Sequence, residues 1–187
     1  MTNCREPGLN RRNFILSISG LMAGSQLLLP ELLRGDEKKT PVLKKELTAK
    51  EKEWVKSSLM AKEIKNYFGK GYSCAESILL VALRYLKKPE ELVWAAGGFG
   101  GGMYQRDLCG FLTGGVMGIG FAAGKLKLDR KQAKKLCSAN TKKFWEWWKT
   151  VAPLHCCDIV QHKSQKGICV RLGYLASAKL EELIKDR

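Results

Sequence analysis

Residues 107–123 read DLCGFLTGGVMGIGFAA, and the fold turns on how this stretch is read. Asp107 is a helix-capping residue type, so the stretch predicts a helix over about 108–123. Glycine costs a helix interior ~1 kcal/mol relative to alanine. A helix that keeps Gly110, Gly114, Gly115, Gly118 and Gly120 must therefore gain from their small size. Gly110, Gly114 and Gly118 recur every four residues and share one face, where a neighbouring backbone or a bulky group can approach closely. The spacing is also that of membrane packing motifs. Thr113 interrupts the run, however, and it falls short of the ~20 apolar residues that a span needs.

Helix signals continue on both sides, with little strand signal between them. Thr48 with Glu51, and Ser73 with Glu76, have the spacing of capping boxes. The first leads a face of Trp54, Ala61, Ile64 and Phe68, closed by Gly69 and Gly71. The second opens an apolar helix from Cys74 to Leu86. Pro89 suits a short helix over 90–96, followed by the Gly-rich loop Gly97–Gly102. Asp129 with Gln132 starts a helix to about Thr150 that carries Phe144, Trp145, Trp147 and Trp148, aromatics expected in the core and at its rim. A last helix starts near Gly167 or Ile168 and runs to the C-terminus. The expected fold is an all-α bundle of five or six helices over residues 48–187.

Two segments precede that domain. Arg11-Arg12-Asn13-Phe14 opens an apolar run that ends at Pro30, the form of a twin-arginine export signal over residues 1–30. This predicts engagement of the twin-arginine export machinery and a periplasmic or exported location. Contact with a membrane is expected only through this segment, if it is retained as an anchor. Residues 31–47 read as a linker. Lys and Arg number 33 against 18 acids, a net charge of +15. Such a surface attracts anions. It is read as a solvated lysine-rich surface or as a docking face for an acidic redox partner. No zinc finger or other nucleic-acid module is present, so no nucleic-acid partner is expected.

The chain has seven cysteines and two histidines. Cys4 precedes the signal, and Cys137 reads as a small core residue. Cys74, Cys109, Cys156 and Cys169 all fall at or near predicted helix starts, where free N–H groups favour thiolate, the form that attacks and that binds metal. No Cys-x-x-Cys occurs, which argues against a thioredoxin-like site or a zinc ribbon. The compact ferredoxin runs are absent too. Separations of 35, 47 and 13 residues mean that these cysteines converge only through a fold. His155, next to Cys156, is a candidate ligand or proton donor, or a partly exposed turn residue. Gly97–Gly102 lacks the Lys-Ser/Thr of a phosphate loop.

Cys109-Gly110-Phe111-Leu112-Thr113-Gly114 resembles the central motif of the redox-active C_GCAxxG_C_C family. Cys74-Ala75, Phe99-Gly100-Gly101-Gly102, Cys156-Cys157-Asp158-Ile159 and Cys169 are similar to that family's other landmarks, so the resemblance covers about 60–185. Phe111 stands where the family usually has Ala. The doublet leaves the third cysteine as Cys156 or Cys157, with the register to Ile159 favouring Cys156. The resemblance implies a redox role without a defined activity. Three chemistries follow. Four thiolates from Cys74, Cys109, Cys156 and Cys169 would hold an iron–sulfur cluster for electron transfer or sensing. A metal-free exchange site would use Cys109 as attacking thiol with Cys156 or Cys157 as resolver. Two disulfides would instead staple an exported domain.

Overall fold

The computed structural model describes Pro41, residues 43–160 and residues 166–185. The predicted signal segment, and most of the predicted linker, lie outside these residues. Seven α-helices and no strands occur among the described residues: α1 (Ala49–Ser57), α2 (Leu59–Glu63), α3 (Cys74–Tyr85), α4 (Gly110–Lys125), α5 (Arg130–Val151), α6 (Cys156–Ile159) and α7 (Lys166–Ile184). The all-α expectation holds. The count exceeds five or six because the first predicted helix is split and because the short turn or helix expected after Pro153, over about 154–160, is a single helical turn.

The split lies at Ser58. Thr48 and Glu51 form their capping box at 3.3 and 2.8 Å. At Ser58 the backbone turns extended, and its hydroxyl accepts from the Ala61 N–H to cap α2. The cause is distant. Buried Glu181 on α7 accepts from the Ser58 hydroxyl at 2.6 Å and from the Met60 N–H at 2.8 Å. One continuous helix would have left Glu181 buried without these donors, at a cost of several kcal/mol.

Helix α3 is the centre of the bundle. Ala75 and every residue from Ser77 to Leu83 are buried, the signature of a helix enclosed on all sides. Ser73 and Glu76 form its capping box. Helix α4 lies against it along the glycine stripe. A Cβ on Gly114 would fall 2.4 Å from the Ala75 carbonyl oxygen, and one on Gly118 would fall 3.0 Å from the Ala82 methyl. Close helix packing is therefore what these glycines serve. Helix α5 runs back antiparallel to α4 and lays Phe144 over Gly115, whose Cβ would come within 2.5 Å of that ring. Fully buried Trp148 donates its indole N–H to the Pro153 carbonyl at 2.9 Å, which fixes the turn that leads to α6. Trp145 and Trp147 are half-buried at the rim. Residues Glu90–Phe99 form 3-10 turns, longer than the predicted short helix, and Gly102–Arg106 close a tight wide turn.

Candidate functional site: four converging thiols

Three of the four predicted cysteines sit at the starts of their helices. Cys74 is the first residue of α3 and Cys156 the first of α6, while Cys109 is itself the N-cap of α4. Cys169 is the fourth residue of α7. The expectation that Asp107 caps α4 is corrected by the structure, where α4 begins two residues later than such a cap would place it. Asp107 is instead drawn to His155, with its Oδ1 2.6 Å from Nδ1. The Cys109 N–H donates to the Leu154 carbonyl and the Cys156 N–H to the Asp107 carbonyl, around an antiparallel bridge between Leu108 and His155. This short pairing holds the chain before Cys109 beside the chain before Cys156. Nothing in the sequence signals it, since the partners lie 48 positions apart.

The four thiols come within electrostatic reach of one another. Cys109 is buried, and burial followed by the neighbouring Cys74, Cys156 and Cys169 pushes its thiol well above the ordinary range. The Phe111 N–H acts in the opposite direction, less than burial and Cys74 but more than Cys156 or Cys169. Burial, then Cys156 and Cys74, push Cys169 up to about 11. Cys157 is buried, and its sulfur faces the Asp158 carboxylate at 3.7 Å. Cys156 is the member of the doublet within electrostatic reach of Cys109 and Cys169. Cys137 is half-buried on α5 against the core, away from this group.

Gly110 makes the convergence possible. The Cys74 sulfur sits where a Gly110 side chain would begin: a Cβ there would be 2.4 Å from it, 2.9 Å from the Phe99 carbonyl oxygen and 3.0 Å from the Ala75 nitrogen. The Gly-rich segment forms a cover over this end of the bundle. Gly100 lies directly on Ser73, and Gly102, at φ +69°, lies on the Asp107 backbone. Phe111 is fully buried, edge-on to Phe68 at 5.0 Å. Its bulk is accommodated across the interface by Gly173, where a Cβ would be 2.9 Å from the Phe111 ring. A glycine inside an apolar helix was the available signal for that accommodation.

No disulfide joins the six described cysteines, so no staple is present among the described residues. Nor are any three His, Cys, Asp or Glu side chains among them set to share a single metal ion. A mononuclear tetrahedral centre with ~2.3 Å metal–sulfur bonds needs its sulfurs close around one point. A four-iron cluster, in which each thiolate would bind a different iron, takes a wider set. The donor chemistry of four convergent cysteines fits that second case.

One family model matches, over residues 72–183, with the description "Putative redox-active protein (C_GCAxxG_C_C)". No curated protein and no solved structure matches. The matched span takes in more than half of the chain and all four converging thiols, and the chain belongs to this redox-active four-cysteine family.

Proposed function

We propose that Cys74, Cys109, Cys156 and Cys169 hold an iron–sulfur cluster, and that the protein transfers electrons or senses redox state through it. The observation that supports this reading is that Cys109 and Cys169 each interact with Cys74 and Cys156 and resist ionisation. Thiol–disulfide exchange needs thiolate at the working pH. A thiol at about 11, and a buried one pushed well up, supply almost none near neutrality. Coordination removes the thiol proton outright, so Cys109 and Cys169, neutral on their own, would become thiolates when iron is bound. The bound cluster would supply one-electron chemistry at a potential set by burial and by hydrogen bonds to sulfur. The chain supplies the rest. Helix starts at Cys74 and Cys109 would direct N–H groups towards anionic sulfur, Gly110 leaves room for the Cys74 sulfur, and Gly100 packs on Ser73 beside it.

A redox partner protein would approach through the cover itself. Trp94 is 77% and Tyr104 71% exposed; the Tyr104 hydroxyl donates to the Gly97 carbonyl, and Trp94 lies where a Gly97 side chain would point, two residues before the Phe99 carbonyl beside Cys74. Exposed aromatics of this kind are typical of protein contacts.

The test is iron and acid-labile sulfide content, with the visible spectrum, of protein purified without oxygen. The expected result is iron with matching sulfide and a broad absorbance that bleaches on reduction. Serine at Cys74, Cys109, Cys156 or Cys169 should remove most of the iron, and serine at Cys157 or Cys137 should not. Iron-free protein from cells equipped for cluster assembly would overturn the reading. Export rests on Arg11-Arg12. The charge-preserving variant Arg11→Lys/Arg12→Lys should hold the chain inside the cell, and unchanged export of that variant would refute a twin-arginine route.

A further inference from the structure

The thiols occupy one end of the bundle, and a second feature occupies the other. Helix α4 starts at the thiols and runs 16 residues to Lys125, roughly 24 Å at 1.5 Å per residue. There Leu126 meets Leu136 of α5, Leu86 after α3 and Ile184 of α7 around one small hollow. Around this end stand Lys125, Lys127, Arg130, Lys131, Lys134 and Lys135, all exposed. None is in an ion pair with another described residue. Asp129 is the one acid among them, and its carboxylate is taken by the Gln132 N–H as the cap of α5.

Part of this charge has a local explanation. Lys125 lies at the C-terminus of α4, where a cation offsets the helix dipole. The α5 cations have the opposite relation. Its first turn contains no acid, and Arg130 and Lys131 stand in it, at the end that disfavours cations, with Lys134 and Lys135 in the turn beyond. A local rule broken twice, on a surface with no paired acid, indicates a purpose other than stability.

We infer that this end of the bundle is a contact surface for an anionic phospholipid membrane. Five of the six cations are lysines, hydrated point charges suited to a diffuse field of headgroups rather than to bidentate recognition. Leu128, 41% exposed, stands among them as an apolar contact. Residues 124–143 contain no aromatic side chain on which a nucleic-acid base could stack. A protein partner would meet no apolar core beyond that single leucine. A partner seated here would also be a helix length from the thiols, whereas a membrane here leaves the thiol end facing away and free. This inference does not depend on what the thiols bind.

The experiment is partition of the full chain onto phosphatidylcholine vesicles with and without phosphatidylglycerol. Wild type should bind the anionic vesicles far more tightly, with the preference lost at high salt. The variant Lys131→Ala/Lys134→Ala/Lys135→Ala should bind them about a hundredfold more weakly, from a contribution near ~1 kcal/mol per lysine. Its melting temperature should be unchanged or raised, since like charges leave the wrong end of a helix, so lost binding cannot be attributed to unfolding. Equal partition onto neutral and anionic vesicles, or a triple variant that binds as wild type, would overturn the inference. Retention on polyglutamate without vesicle binding would overturn it as well, and would assign the surface to an acidic protein.

Discussion

Gly110→Ala is expected to disable the thiol site while leaving α4 a better helix. Alanine is favoured over glycine in a helix by ~1 kcal/mol, so the helix that carries the change is not weakened. Its methyl group would enter space already filled, 2.4 Å from the Cys74 sulfur, 2.9 Å from the Phe99 carbonyl oxygen and 3.0 Å from the Ala75 nitrogen. Two of these three atoms are backbone, so rotation of the Cys74 side chain cannot relieve the crowding. Either the cover over 97–102 lifts or α3 and α4 part at the cysteines. The cost should be ~1–3 kcal/mol, with iron content reduced at least tenfold if the cluster reading holds. Metal analysis and thermal unfolding of the same preparation check both. Full iron content at the wild-type melting temperature would show that Gly110 does not set the site.

Gly114→Ala should be the most destabilising of the single methyl additions along the stripe. The new Cβ would sit 2.4 Å from the Ala75 carbonyl oxygen and 3.0 Å from its carbon, so the clash is between the backbones of two buried helices. A loss of ~2–3 kcal/mol is expected, which lowers the melting temperature by roughly 5–10 °C in a domain of this size. Gly120 lies on the same helix with nothing within 4 Å of its Cβ position, and it is exposed. Gly120→Ala should therefore stabilise by up to ~1 kcal/mol. Denaturant unfolding of the pair measures the difference. Equal effects at 114 and 120 would mean that the α3–α4 approach is looser than the structure has it.

The two variants separate what is local from what is not, and the same division runs through the fold. The caps at Thr48, Ser73 and Asp129 were legible because the cap and its partner lie three residues apart, so the bond exists as soon as the turn does. The break at Ser58 was not, because its cause, Glu181, is 123 positions away. Asp107 misled for the same reason. It has the chemistry of a cap, yet His155 takes its carboxylate, and Cys109 becomes the helix boundary. Gly173 was visible as a glycine in an apolar helix, but its role as the space for Phe111 exists only across the α4–α7 interface.

For the site, the sequence by itself determined which cysteines stand near helix starts, that a glycine stripe faces a close neighbour and that cations outnumber acids. Each is a matter of residue type and short spacing. Only the tertiary structure decided that thiols separated by 35, 47 and 13 residues face one another. It also brought Cys156 within reach of Cys109 and Cys169, and it carried the α5 cations to the end remote from them. It raised the Cys109 and Cys169 thiols as well, although cysteines near helix starts were expected to favour thiolate. A helix start acts on its own cysteine within one turn, whereas burial and the charges of three other thiols act only once the helices are assembled.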